Sequence, residues 1–208
     1  MTADFIWRME AVLELYAEPY DPKRPVVCFD ERPYQMVADV HAPLPAAPGR
    51  ARREDYAYER RGVCNLYMVF EPLRRRRWVR VTARRTAEDF AWQMKWLVDE
   101  VYPEADVVRV VLDNLNCHTP AALYRVFPAA EARRLVRRLE FVYTPKHASW
   151  LNMAEIEFSV LSRQCLGQRL SDIGCVRRAV EAWACARDAS GCGVDWRFGV
   201  WDAREKLR

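Results

Sequence analysis

Acidic side chains stand where apolar runs of this chain stop. The stretch VVLDNLNCH, residues 110–118, breaks off at Asp113, adds Asn114 at once and brings His118 five positions after the aspartate. Earlier, VVCF at 26–29 reads as a short buried strand that ends in Asp30. Carboxylates at the carboxyl ends of buried strands lie where open α/β sheets bind their ligands. Two aspartates brought together at neighbouring strand tips repel, and a cation is needed to keep both ionised. Hard oxygen donors with open coordination positions suit Mg²⁺ or Mn²⁺. Either aspartate alone would pass as a helix cap or turn residue; the pair is harder to read that way.

A third acid would complete such a site. The segment SWLNMAEIEFSVLSRQCL, 149–166, offers Glu155 and Glu157. At ~100° per residue, Leu151, Ala154, Phe158, Leu161 and Cys165 form one buried stripe, with the two glutamates flanking it ~200° apart. One helix cannot aim both at a single ion, and spacing leaves the choice open. Glu31 follows Asp30 directly, points to the opposite face of an extended strand and is set aside. Two divalent ions ~4 Å apart clamp the attacking and leaving oxygens in phosphoryl transfer. That chemistry needs no nucleophilic side chain, and no Ser-His-Asp or Cys-His arrangement stands out. With seven glycines and no G-x-x-x-x-G-K, nucleotide hydrolysis is disfavoured.

The elements that must position these acids follow from the hydrophobic pattern. Residues 4–17 and 86–102 have helical periodicity, the latter with Thr86 at its N-cap. Residues 63–72 and 76–83 read as a strand hairpin, 107–112 as a buried strand and 139–144 as a further strand. A helical stretch at 119–137 is interrupted near Pro128, and 150–166 and 171–187 are helical. Residues 42–61, rich in Pro, Ala and Arg, form a long connection. Hairpin strands pair antiparallel and strands with helical crossovers pair parallel. The expected fold is therefore α/β: a mixed sheet, its first three strands antiparallel and the later ones parallel, flanked by helices. The reading divides the chain into an N-terminal helix and linker (1–24), a catalytic domain (25–190) and a polar tail (191–208).

At 51% hydrophobic and 30% charged residues over 208 positions, the chain suits one packed domain. It has no run of ~18 apolar residues and no secretory signal pattern, which makes a cytoplasmic protein the expectation. Seven cysteines without a C-x-x-C read as reduced small hydrophobes. The net charge of +4 is modest, but arginines cluster at 50–53, 60–61, 74–77, 84–85 and 133–138. They are suited to phosphate contact, although codon bias and solvated faces would also account for them.

The segments VVCFDE, YAYERRGVCNLYMVFEP, VVRVVLDNLNCH and TPKHASWLNMAEIEFSVL, in this order, resemble the catalytic domain of bacterial insertion-sequence transposases. These are the Tc/mariner-like DDE endonucleases with a ribonuclease H-like fold. The resemblance implies a metal-binding triad of Asp30, Asp113 and Glu155, since Glu155 and not Glu157 closes the matching LN…E block. It implies Mg²⁺ or Mn²⁺, two ions, and water or a DNA 3′-hydroxyl attacking phosphodiesters at transposon ends. Asn114 and His118 match the tail of the second motif, as supporting groups or phosphate contacts. Arg52, Arg53, Arg60, Arg61, Arg75, Arg76, Lys146 and His147 are the candidate DNA contacts. Family members work as multimers on paired ends, so a homo-oligomer is implied. About 25 residues precede the first strand, too few for a helix-turn-helix module, and a separate DNA-reading chain is the corresponding expectation. The alternatives are another ribonuclease H-like nuclease and a truncated or domesticated DNA-binding fragment without activity.

Overall fold

A computed structural model describes residues 2–206. Five strands form one sheet: β1 (Val26–Asp39), β2 (Tyr58–Glu71), β3 (Arg76–Thr82), β4 (Val108–Leu112) and β5 (Leu139–Tyr143), in the order β3-β2-β1-β4-β5. β1 pairs antiparallel with β2, and β2 with β3; β4 lies parallel to β1 and to β5. This is the expected mixed sheet. The helices are α1 (Ala3–Ala17), α2 (Ala87–Trp96), α3 (Pro120–Val126), α4 (Ala129–Arg137), α5 (Met153–Gln164), α6 (Ile173–Ala189) and α7 (Val200–Lys206). Pro128 separates α3 from α4, where the sequence places the interruption. α2 starts with a capping box between Thr86 and Asp89 and runs into a wider π turn over Leu97–Val101.

Side-chain alternation splits the core into two layers. Val26, Cys28 and Val111 face α1, α5 and α6, whereas Val27, Phe29, Val110 and Leu112 face α2 and α3. β4 is buried at all five positions, as a central parallel strand must be.

Three expectations need correction. β1 does not end at Asp30: it continues to Asp39, paired with β2 down to Tyr58. Pro33 lies within this extension: β1 leaves β4 after Cys28, and a strand with one open edge tolerates proline. Gly62, at φ 88°, sits in a bulge where β2 places extra residues opposite Met36; positive φ is inexpensive only for glycine. The flanking segments also join the domain. Met9, Val12 and Leu13 of α1 are buried in the core, and Trp196 of the tail packs edge-on to Tyr16 at 5.4 Å and stacks on Trp150 at 6.5 Å. The seven cysteines are all free, but Cys185 and Cys192 are exposed rather than small core hydrophobes. Among the described residues no helix is long and apolar enough to cross a membrane.

Candidate active site

The parallel register of β1 and β4 sets the site. The last pair is Cys28 opposite Val111, so Asp30 and Asp113, two residues beyond on each chain, arrive side by side. Alternation puts Asp30 on the α5 face, continuing from Cys28, while Asp113, just past the end of β4, has its carboxylate beside His118. Asp30 thus sits inside β1, just past the point where its pairing with β4 ends.

α5 brings the glutamate. Its N-cap, Asn152, is buried and acts twice: Oδ1 accepts from the Ala154 amide at 3.1 Å, and Nδ2 donates to the Phe29 carbonyl at 2.8 Å. The start of the helix is thereby fastened to β1 one residue before Asp30. The Tyr16 hydroxyl donates to the Leu151 carbonyl at 2.7 Å and holds the preceding turn. Glu155, in the first turn of α5, then faces Asp30 across a groove of about 470 Å³ that Arg32, Ser159, Ser162 and Arg163 also line. Glu157 points the other way. It is fully buried, with Oε2 3.0 Å from Arg77 Nε and a two-pronged contact from Arg187 at 2.9 and 3.0 Å. The structure therefore brings Asp30, Asp113 and Glu155 to one end of the sheet and keeps Glu157 in an internal ion pair.

Burial, then the charge of Glu155, with smaller pushes from Glu31 and Asp113, raises the Asp30 carboxyl to about 8; the Glu31 amide, donating to Oδ1 at 2.8 Å, pulls the other way. Among the described residues neither Asp30 nor Glu155 has an ion-pair partner. Asp30 and Glu155, oxygen donors without a protein cation among the described residues, fit a hard divalent ion, and with Asp113, which stands beside His118, they are the residues that would hold it.

His118 is buried behind the acids, with Nδ1 2.7 Å from Asp113 Oδ1 and Nε2 2.9 Å from Glu31 Oε2. The angles are poor for well-formed hydrogen bonds, so these are close charge contacts. Burial disfavours the charged ring, but the two carboxylates outweigh it and raise its pKa to about 10. The ring packs on Phe90 at 4.8 Å and Phe29 at 5.7 Å. Asn114 is exposed in the turn after β4. Glu31, Arg32, Asn152 and Arg163 were not among the sequence-derived candidates. Only Asn152 carried a legible signal, an asparagine just before an apolar helical stripe.

The basic candidates divide by location. Lys146 and His147 are exposed directly after β5, at the carboxylate end of the sheet. Arg60 and Arg61 are exposed on the projecting part of the β1–β2 hairpin, where Arg61 pairs with Glu59 at 2.8 Å. Arg52 and Arg53 are in the loop joining the two strands; Arg52 pairs with Glu54 at 3.0 Å. Arg75 and Arg76 occupy the β2–β3 turn at the opposite end of the sheet. There Arg75 donates to the Gly191 carbonyl at 3.1 Å and Arg76 lies over Trp78 at 5.2 Å. The antiparallel hairpin carries that turn to the end of the sheet away from the carboxylates.

Comparison with solved structures finds the same architecture. The Mos1 transposase paired-end complex with left transposon end superposes with a TM-score of 0.60 at 15% identity, covering 92% of this chain and 59% of that one. The Mos1 mariner paired-end complex with Mn gives 0.60 at 15% identity, over 100% and 60%. The catalytic domain of Mos1 mariner transposase gives 0.59 at 12% identity, over 92% and 88%. At these identities the likeness is one of ribonuclease H-like fold, and the chain spans about three-fifths of the length of the transposases in the two complexes. No curated protein sequence matches it. The sequence profile of the DDE superfamily endonucleases, however, matches residues 25–176, from the start of β1 into α6, and this chain belongs to that family.

Proposed function

We propose that this chain is the catalytic domain of a transposase that cleaves DNA strands and transfers them at transposon ends, using Mg²⁺ or Mn²⁺. The observation that carries this reading is the placement of Asp30, Asp113 and Glu155 at one end of the sheet, with no ion-pair partner for Asp30 or Glu155 among the described residues. Two bound ions would supply activation of the attacking oxygen and stabilisation of the leaving one. The chain's own part is to hold and orient. β1 and α5 hold Asp30 and Glu155, β4 delivers Asp113 just past its end, and Asn152 locks α5 to β1. Arg32 and Arg163, on the rim of the groove, are placed to meet phosphate oxygens, with Lys146 and His147 contacting the backbone from the β5 side. The in-line attacker is water for cleavage and a DNA 3′-hydroxyl for strand transfer. Similar structures solved with a transposon end and with Mn support DNA ends as the substrate and a divalent ion as the cofactor. A second copy of the chain completes the proposal.

The test is a strand-nicking and strand-transfer assay on transposon-end duplexes, with an RNA–DNA hybrid as comparison. Asp30→Asn, Asp113→Asn and Glu155→Gln should each lower Mn²⁺-dependent cleavage by on the order of a hundredfold to a thousandfold. Glu157→Gln should leave the rate of the folded protein within a few-fold. Loss confined to Glu157→Gln, or preference for the hybrid, would overturn the assignment.

A further inference from the structure

Glu31 stands one residue past Asp30 and faces the other side of the sheet, in the layer of Phe29 and Phe90. Its side chain is 1% exposed, and a carboxylate buried that far needs a partner. The nearest is His118, Nε2 to Oε2 at 2.9 Å, followed by Arg85 Nη1 at 3.9 Å from Oε1. His118 turns its other nitrogen to Asp113, 2.7 Å away. Phe90 and Phe29 bracket the ring, and the Tyr143 hydroxyl donates to the His118 carbonyl at 2.7 Å. A contact chain thus runs from the residue beside Asp30, around the end of β4, to Asp113.

Asp113 needs such a support. It is the first residue beyond β4, its side chain is 39% exposed, and the chain from there to His118 is a turn in which the His118 amide donates to the Leu115 carbonyl at 2.9 Å. No ladder or helix sets its rotamer.

We propose that Glu31 is a positioning residue: through His118 it fixes the orientation in which the Asp113 carboxylate is presented to a divalent ion. The inference rests on the reading of Asp30, Asp113 and Glu155 as ion ligands. Groups that orient a metal ligand from behind are worth about 10–100-fold in metal affinity. One competing role is visible. Atoms of Glu31, Cys117 and His118 lie within 4.8 Å of one another and could hold an ion directly.

The experiment measures Mn²⁺ affinity of the full chain without DNA, by calorimetry or by the electron paramagnetic resonance of free Mn²⁺, beside melting curves in EDTA. Glu31→Gln keeps the shape and removes the charge. It should lower Mn²⁺ affinity about 10–100-fold while the protein in EDTA still melts cooperatively above the assay temperature. His118→Gln should lose a similar factor. The double variant should lose no more than His118→Gln alone, because both act along one chain. Cys117→Ser should keep parental affinity. Parental affinity in Glu31→Gln overturns the proposal, as does a double variant whose loss is the product of the two single losses. A Cys117→Ser loss equal to that of Glu31→Gln overturns it too, by making Glu31 a ligand. If Glu31→Gln unfolds, His118→Gln decides, and parental affinity there sinks the idea. Absence of saturable Mn²⁺ binding by the parent, or binding untouched by Asp30→Asn and Asp113→Asn, defeats the ligand reading itself and is distinguishable from every outcome above.

Discussion

Asp30 ties the chemistry of the site to the stability of the fold. Its carboxyl is pushed to about 8 by burial and by Glu155, against about 3.9 in an unfolded chain. Between those values the native state holds a proton that the unfolded state has lost, so stability falls as pH rises. The contribution is complete below about pH 4 and is lost as pH passes about 8. His118 has the same sign in a higher window: raised to about 10 from about 6.5, it stabilises fully below pH 6.5, and that stabilisation is lost as pH passes about 10. In EDTA, urea unfolding should therefore show stability declining by a few kcal/mol from pH 5 to pH 8, and Asp30→Asn should flatten that limb. Mn²⁺ should stabilise more at pH 8 than at pH 5, since it binds the ionised form. A flat EDTA profile in the parent, or an unchanged slope in Asp30→Asn, would contradict the crowding of acids on which the site depends.

At the scale of the element, α5 carries both the site and the support beneath it. Asn152 caps the helix and satisfies the buried Phe29 carbonyl. Asn152→Ala should cost about 1 kcal/mol for the cap and about 1–3 kcal/mol for the unpaired carbonyl. Cleavage should fall further than the folded fraction, because Glu155 loses its anchor to β1. The buried pair of Glu157 with Arg77 behaves differently. Glu157 and Arg77 are both fully buried, and removing one partner of such a pair costs about 3–5 kcal/mol. Arg77→Met should accordingly destabilise the protein in urea while the remaining folded molecules cleave at the parental rate. The stripe Leu151–Ala154–Phe158–Leu161 was legible from periodicity, and so was the helix. Which glutamate faces Asp30 was not, because the deciding partners of Glu157, Arg77 and Arg187, come from β3 and α6 and no local pattern announces them. Glu31 was set aside for pointing to the opposite face. It does so, but the sheet is short enough at β4 for His118 to connect the two faces.

For the whole molecule, the order of strands and helices specified the mixed sheet, since short turns force antiparallel pairs and helical crossovers parallel ones. The reach of β1 escaped notice because Arg32, Pro33 and Gln35 lack the alternation of a half-buried strand, and their pairing with β2 is the only thing that makes them one. That hairpin decides where nucleic acid would lie. It projects past the carboxylates with Arg60 and Arg61 exposed, Lys146 and His147 stand at the same end, and Arg75 and Arg76 sit at the other. A net charge of +4 gives little general attraction, so affinity should depend on which arginines meet phosphates. Each phosphate neutralised on duplex DNA steepens the dependence of log affinity on log salt by about 0.9. Replacing Arg60 and Arg61 with alanine should therefore flatten that dependence by about one to two units, measured by fluorescence anisotropy on a transposon-end duplex across a salt series. Arg75→Ala with Arg76→Ala should leave the slope within about 0.3 of the parent, because the turn they occupy points away from the carboxylate end. Equal flattening by the two pairs would mean that DNA wraps the edge of the sheet as well as its end, and the path drawn here from the hairpin to the β5 loop would have to be abandoned.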